Sequence, residues 1–144
     1  MIRSAVSTTV NATPLSTAPS SYSFLLILQT GECVKTFVGH TDFVKSILLV
    51  GKFLFSGSAD AHIRQWDTTT GECVRDLKAH TRSVECLAIS EDGKKLFSAS
   101  SDRTIRQWDV ESGQVEKVYE GHETNVFALT VWDEELWTGT RLEP

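Results

Sequence analysis

Serine, histidine and aspartate side chains recur along the 144-residue chain in a pattern that suggests nucleophilic catalysis. The three residue types occur twice at nearly the same spacing, as His40, Ser56 and Asp60 and again as His80, Ser98 and Asp102. A hydrolase of this kind needs a nucleophilic serine, an imidazole base beside it and a carboxylate that orients the imidazole. The residue types therefore fit a triad, but their repetition calls for a second interpretation.

A structural role explains the repetition better than catalysis does. A catalytic site needs the set once, whereas this chain carries it twice. A nucleophilic serine is typically held on a sharp, exposed turn within Gly-x-Ser-x-Gly, and the sequence contains no such motif. Ser56 and Ser98 lie instead inside predicted strands. We therefore predict that the protein is not an enzyme.

The repetition extends through most of the chain with a period of about forty residues. Residues 63–67 (IRQWD) recur unchanged at 105–109, and residues 30–34 (TGECV) recur at 70–74. The histidines at 40, 80 and 122 follow the same spacing. So many matches in one register indicate a repeat architecture.

Each repeat has the pattern of short strands joined by turns. Strands are predicted at residues 84–89, 95–100, 104–109 and 115–119, with turns at 91–94 and 111–113. No window shows a helical period over three turns. Four antiparallel strands in forty-odd residues make one blade of a β-propeller. The predicted fold class is all-β, with about twelve strands, or about three blades' worth of four-stranded antiparallel sheets.

The chain resembles the WD-repeat (WD40) β-propeller family. The resemblance is carried by Gly39-His40 with Trp66-Asp67, and by His80 with Trp108-Asp109, where Ala79 replaces the usual glycine. It covers residues 24 to 140. Leu26 stands where the tryptophan of the first repeat is expected, so the Trp-Asp pair is lost there.

The resemblance implies a buried hydrogen-bond network in each complete repeat, running from aspartate through histidine and serine to tryptophan. Its members are Asp60, His40, Ser56 and Trp66 in one repeat and Asp102, His80, Ser98 and Trp108 in the next. His122 and Thr138 fit the same positions of a third repeat, but Leu142 falls at the aspartate position. The third network is therefore expected to be incomplete.

The resemblance also implies a partner-binding surface on the top rim of the blades. The expected contact residues, called the rim residues below, are Phe43, Lys45, Ser83, Glu85, Ser101, Arg103, Asn125 and Phe127, with Ala59 and Ala61 beside them. They vary between repeats while the network residues do not. The two phenylalanines would anchor a ligand and the charged members would select its charge. The alternative is that these are ordinary loop residues.

Composition excludes several other classes of protein. The net charge of −5 disfavours nucleic acid as a partner. The longest apolar run, residues 24–28, is too short to span a membrane. The three cysteines suit reduced thiols in the cytoplasm, or alternatively the nucleus, and Cys86 occupies a small buried position. We expect no metal and no cofactor, and we expect Arg64 and Arg106 to face solvent.

Two regions differ in composition. Residues 1–23 are rich in serine and threonine, carry Arg3 as their single charge and are predicted to be disordered, with an organellar transit peptide as the alternative. Residues 24–144 are predicted to form an incomplete propeller, with full blades at 43–77 and 83–119 and half-blades at 24–37 and 125–140. Three blades are too few for a closed ring, which takes about 4–8. We therefore expect a fragment of a longer protein, or self-association that completes a ring from two chains.

The predicted function is a non-catalytic protein–protein interaction scaffold whose partners are other proteins or peptides. The alternative is a regulatory or substrate-recruiting fragment of a larger enzyme assembly, such as a ubiquitin ligase. Some repeats that bind a ligase adaptor carry an arginine two residues after the Trp-Asp aspartate, and here Thr69 and Glu111 stand at those positions. That difference disfavours direct binding to an adaptor.

Overall fold

The computed structural model describes the backbone of residues 22–27 and 33–140. All regular structure in these residues is β-strand, which confirms the predicted fold class. The strands are β1 (Tyr22–Ile27), β2 (Cys33–His40), β3 (Val44–Val50), β4 (Phe53–Ser58), β5 (His62–Asp67), β6 (Cys73–Lys78), β7 (Val84–Ile89), β8 (Lys95–Ser100), β9 (Ile105–Asp109), β10 (Val115–Tyr119), β11 (Val126–Trp132) and β12 (Glu135–Thr140).

The strands form four antiparallel sheets in chain order. Blade 1 consists of β3, β4, β5 and β6, and blade 2 of β7, β8, β9 and β10. Strands β1 and β2 form a leading half-blade, and β11 and β12 form a trailing half-blade. Short connections keep sequential strands adjacent, so each forty-residue repeat becomes one sheet.

The aspartate of each Trp-Asp pair organises the turn that follows it. Asp67 Oδ1 accepts a hydrogen bond from the Thr69 amide over 2.7 Å, and Asp109 Oδ1 accepts one from Ser112 over the same distance. The turn then closes at Gly71, whose φ of 84° lies in the left-handed region that glycine adopts without strain. These hydrogen bonds and the turn glycine fix the direction in which the chain enters the outer strand.

The largest core lies between the blades. Phe55 and Ile63 of blade 1 are 1% and 0% exposed and belong to one cluster with Leu87 and Leu96 of blade 2. Because blade 1 lies between the leading half-blade and blade 2, its strand β4 is buried on both faces, with Leu54 packed on one side and Phe55 on the other. Gly57 fits this packing, since a Cβ there would lie 2.7 Å from Val84 Cγ1 of the next blade.

The prediction that Arg64 and Arg106 face solvent is wrong. The Arg64 side chain is only 17% exposed and lies against Gly39 of β2, on the same face of β5 as Trp66. Arg106 is also half-buried, and its Nε is buried. Alternation along a strand separates its two faces, but here both faces are covered by neighbouring sheets.

The first strand begins earlier than predicted. β1 starts at Tyr22, whereas the sequence placed the start of the propeller at Phe24. Apart from Tyr22 and Ser23, the segment predicted to be disordered lies outside the described residues.

Candidate functional site

The four polar residues singled out in blade 1 form a continuous hydrogen-bonded chain. His40 Nδ1 lies 2.8 Å from Asp60 Oδ2, and His40 Nε2 lies 2.7 Å from Ser56 Oγ. Trp66 Nε1 donates to the same Ser56 oxygen over 2.8 Å. The histidine lies at the end of β2, so this hydrogen-bond network connects the leading half-blade to blade 1.

Blade 2 repeats this geometry with its own residues. His80 lies 2.8 Å from Asp102 and 2.7 Å from Ser98, and Trp108 Nε1 donates to Ser98 Oγ over 2.8 Å. His80 follows β6, so this second hydrogen-bond network connects blade 1 to blade 2. The two networks therefore act at successive blade junctions.

The donors and acceptors determine how protons are placed in each network. The indole N–H can only donate, so the Ser98 oxygen accepts from Trp108 and its single hydrogen is directed to His80 Nε2. His80 Nε2 then carries no proton, and Nδ1–H donates to Asp102. The neutral imidazole with its proton on Nδ1 satisfies every member of the network.

Electrostatics agree with a neutral imidazole beside an ionised carboxylate. Burial lowers the pKa of His80, and this effect outweighs the opposing hydrogen bond and charge of Asp102. Burial acts to raise the pKa of Asp102, but hydrogen bonds from Thr104 and His80 lower it to about 2. For Asp60, burial is likewise outweighed by hydrogen bonds from His40 and the Thr41 amide, which hold its pKa well below the usual range.

The serines have no room for a substrate. Ser56 and Ser98 are both 0% exposed, and each hydroxyl already makes two hydrogen bonds. A nucleophile must reach a carbonyl carbon from outside the protein. The arrangement thus has the residue types of a hydrolase triad, without access to the nucleophile.

The third repeat is built differently in the part of the chain that the structure describes. His122 Nε2 lies 3.3 Å from Thr138 Oγ1, and Thr138 is exposed. Leu142, at the expected aspartate position, lies outside the described residues.

A second pair of repeated serines was missed in the sequence analysis. Ser58 and Ser100 are both 0% exposed. Each accepts from the amide of the turn aspartate, over 3.2 Å at Asp60 and 3.0 Å at Asp102, and donates to a carbonyl of the preceding loop. Their identical recurrence, two residues after Ser56 and Ser98, was the signal that could have identified them.

The rim residues cluster at one end of the innermost strands. Phe43 and Ser83 come directly before β3 and β7, and Asn125 comes directly before β11. Since β3 packs beside β7 and β7 beside β11, these strand ends lie next to one another. Phe43 is 51% exposed and Phe127 is 47% exposed.

The other rim residues described here are polar, and only some of them make hydrogen bonds. Ser101 Oγ donates to Glu85 Oε1 over 2.7 Å. The Ser83 hydroxyl is buried and makes no hydrogen bond within the described residues. Arg103 is exposed, and its φ of 70° holds it in a left-handed turn after Asp102. Lys45 is also exposed, so charges of both signs lie on this surface.

The cysteines are free thiols where the structure describes their side chains. Cys73 is exposed and Cys86 is half-buried. Burial raises the pKa of Cys86 to about 12. Residues 35–140 contain no group of three His, Cys, Asp or Glu side chains that could hold a metal ion. No helix long and apolar enough to cross a membrane is found in the described part of the chain.

Comparison with known proteins identifies the repeat. The family model described as WD domain, G-beta repeat (WD40) matches residues 31–67 and 71–109, more than half of the chain. The two matches end at Asp67 and Asp109, the aspartates of the two Trp-Asp pairs.

Three relatives illustrate the likeness. An uncharacterized WD repeat-containing protein of Schizosaccharomyces pombe is 42% identical over 64 residues, covering 42% of this chain and 17% of the relative. Nuclear distribution protein PAC1 of Saccharomyces cerevisiae is 43% identical over 62 residues, covering 42% of this chain and 13% of the relative. Transcriptional repressor rco-1 of Neurospora crassa is 42% identical over 62 residues, covering 42% of this chain and 10% of the relative. The chain thus spans less than a fifth of the length of each.

Proposed function

The chain belongs to the WD40 repeat family, and we propose that it is a non-catalytic scaffold that binds another protein or a peptide through the rim residues. The observation that carries this proposal is the pair of exposed phenylalanines at the inner strand ends, Phe43 at 51% and Phe127 at 47% exposure. Exposed aromatic side chains on a rigid surface are typical anchors of an interface.

The contrast between variable and invariant positions supports the same assignment. Asp60 and Asp102, with the serines and tryptophans behind them, are the same in both blades and are committed to hydrogen bonds. At the rim, by contrast, Phe43, Ser83 and Asn125 occupy one repeated position with three different side chains. A constant scaffold that presents different side chains can offer one asymmetric surface to a ligand.

The chemistry of the rim suggests the kind of ligand. Two apolar anchors favour a segment with aromatic or large aliphatic side chains. Lys45 and Arg103 are exposed and are suited to acidic groups of the ligand. The proposed ligand is therefore an apolar peptide segment that also carries acidic residues.

The names of the relatives are consistent with a scaffold. One is named a nuclear distribution protein and another a transcriptional repressor, so similar repeats occur in proteins with different stated roles. An intracellular location, in the cytoplasm or the nucleus, is part of the same proposal. The free thiols of Cys73 and Cys86 suit a reducing compartment.

The test compares binding by the wild-type chain with binding by a Phe43→Ala, Phe127→Ala double variant, using quantitative affinity capture and a peptide array. A matched control replaces Val38 and Val74 by alanine, since these valines are 51% and 49% exposed on the outer strands β2 and β6. We expect the phenylalanine variant to lose ligands that the valine variant retains. Equal binding by both variants would refute the rim as the binding surface.

A further inference from the structure

A cleft lies between blades 1 and 2, at the end of β7 that is opposite to the rim. Its lining includes Phe53 and Gln65 of blade 1 and Val110 in the β9–β10 turn of blade 2. Ser83 of the rim comes directly before β7, whereas Gly93 of the cleft lies in the turn that follows β7. The volume of about 420 Å³ falls within the roughly 300–1,000 Å³ that is typical of small-ligand sites. This space, called the interblade cleft below, is therefore a second candidate binding site.

Apolar and charged side chains share the walls of the interblade cleft. Val74 on β6 is 49% exposed, and Val110 packs against the core between the blades. Arg75 Nη1 donates to the Val110 carbonyl over 3.0 Å, which holds the outer strand of blade 1 against the turn of blade 2. The charged lining residues are Arg75, Lys94, Asp109 and Glu111. Their charges sum to zero, so the walls suit an uncharged ring better than an ion.

One polar group of the lining has no hydrogen-bond partner among the described residues. Gln65 is 3% exposed, and its Oε1 is buried and unbonded. Gln107 holds the same position of blade 2, and there Oε1 accepts from the Tyr119 hydroxyl over 2.8 Å. Leu77 occupies in blade 1 the position of Tyr119 in blade 2, opposite the isoleucine of the same repeat. Blade 1 thus lacks the phenol that satisfies this glutamine in blade 2.

We propose that the interblade cleft binds a tyrosine side chain of a partner protein or peptide, and that Gln65 accepts the hydrogen of its hydroxyl. The ring lies against Phe53 and Val110. The Gln65 amide turns toward the cleft as the ring enters, since side-chain rotations are common where partners meet. Because Gln65 Oε1 has no hydrogen bond to lose, the new bond removes the cost of a buried, unpaired acceptor.

The free hydroxyl distinguishes tyrosine from two similar ligands. Phenylalanine offers the same ring without a donor, so Gln65 Oε1 would stay unpaired. Phosphotyrosine has a phosphoryl group in place of the hydroxyl hydrogen and a charge of about −2 at pH 7. It offers Gln65 Oε1 no donor, and its charge is costly to bury in the cleft. The cleft therefore selects unmodified tyrosine.

The first test is an NMR titration of the isotope-labelled chain with three blocked peptides. The peptides share glycine and serine flanks and carry tyrosine, phenylalanine or phosphotyrosine at the centre. We expect the tyrosine peptide to shift the amide resonances of Gly93 and Val110. Its Kd should be about 2- to 10-fold lower than that of the phenylalanine peptide, the range expected for one hydrogen bond. The phosphotyrosine peptide should bind more weakly than either.

Several results of this titration would overturn the proposal. These are equal binding of the tyrosine and phenylalanine peptides, tighter binding of the phosphotyrosine peptide, and the absence of shifts with all three. Shifts confined to the rim around Phe43 would overturn it as well, because the peptide would then be a ligand of the rim.

The second test removes the acceptor. Gln65→Leu keeps a similar side-chain volume, and it should abolish the preference for tyrosine while leaving the Kd of the phenylalanine peptide unchanged. Gln107→Leu is the matched control, because Gln107 holds the same position of blade 2 outside the lining of the cleft. It should keep the preference. A preference that survives Gln65→Leu would refute the assigned hydrogen bond.

The third test changes the cleft wall without altering a buried residue. Val74→Glu replaces a side chain that is 49% exposed, and retained β-sheet circular dichroism confirms that the variant folds. Because a carboxylate replaces an apolar wall, the Kd of the tyrosine and phenylalanine peptides should rise together. Val38→Glu is the matched control, since Val38 is 51% exposed on β2 and outside the cleft lining, and it should bind like the wild type. Equal Kd values for the two variants would overturn the proposal.

The two proposed surfaces fail independently of each other. A ligand of the rim is weakened by the Phe43→Ala, Phe127→Ala variant and retained by Gln65→Leu. A ligand of the interblade cleft shows the opposite pattern, because neither phenylalanine lines the cleft. A tyrosine peptide that follows the rim pattern would therefore refute the interblade site and leave the rim proposal intact.

Discussion

Trp66 donates its indole hydrogen to Ser56 Oγ over 2.8 Å, ten residues back along the chain and on the neighbouring strand. The same contact with the same length joins Trp108 to Ser98. In each blade the tryptophan thereby connects the hydrophobic core to the polar network. Phe37 of the leading half-blade packs edge-on against Trp66, with 5.7 Å between the ring centroids. The Trp66 side chain therefore belongs to both the hydrophobic core and the polar network.

Replacing Trp66 or Trp108 by alanine should destabilise the protein severely. Each ring is at most 2% exposed, and loss of such a side chain typically costs about 3–5 kcal/mol. The serine behind it would also lose a hydrogen-bond donor. Equilibrium denaturation in urea measures the effect. Trp132→Ala is the matched control, because Trp132 is 66% exposed, and its unfolding free energy should change by about 0.5 kcal/mol or less. Equal effects of the buried and exposed substitutions would contradict this account of the core.

Stability should fall in two stages as the pH is lowered. Burial lowers the pKa of His80 in the fold, so the unfolded chain takes up that proton first and stability is lost below about pH 6.5. The pKa of Asp102 is about 2 in the fold, because hydrogen bonds from Thr104 and His80 outweigh its burial. Its contribution, present above about pH 4, is lost as the pH falls toward 2.

Denaturation at pH 7.5, 5 and 3 measures both stages. Asp102→Asn should lower stability at pH 7.5 and flatten the acid part of the profile, because the group that titrates there is gone. Asp133→Asn, in the exposed β11–β12 turn, should leave the shape unchanged. A protein that gains stability between pH 7.5 and pH 3 would show that the signs assigned to these groups are wrong.

Cys86 should react with iodoacetamide far more slowly than Cys73 in the folded protein. Burial raises the pKa of Cys86 to about 12, which at pH 8 makes its thiolate fraction about a thousandfold smaller than that of an ordinary thiol. Burial also raises the pKa of Cys73, but that side chain is exposed to the reagent. Peptide mass mapping resolves the two sites. Both should react alike in denaturant, and fast labelling of native Cys86 would count against the buried position.

Neither Ser56 nor Ser98 should react with a fluorophosphonate probe of serine hydrolases. Both hydroxyls are 0% exposed and hydrogen-bonded on both sides, so the phosphorus of the probe has no path to them. A known hydrolase in the same reaction confirms that the probe is active. Labelling of either serine in the folded protein, lost on substitution by alanine, would show that the site is catalytic after all.

Much of this fold is set by interactions that are local to one repeat and therefore recur in the sequence. Asp67 and Asp109 organise the same turn, and Trp66 and Trp108 contact a serine ten residues earlier, so the same residue types are needed each time. That is why the strands of each blade could be predicted from the repeat, and why the resemblance to the WD40 family could be carried over to the same network residues in both repeats.

The burial of side chains between neighbouring sheets could not be predicted from the repeat. Arg64 looked solvent-facing by alternation, yet the packing of β2 onto blade 1 encloses it beside Gly39. Phe55 and Trp137 occupy the same repeated position, but one is 1% exposed and the other 58%. The sequence determines the blade, because its hydrogen bonds close within about forty residues. Only the tertiary structure decides which faces are buried, because burial depends on the blade that lies next to each face.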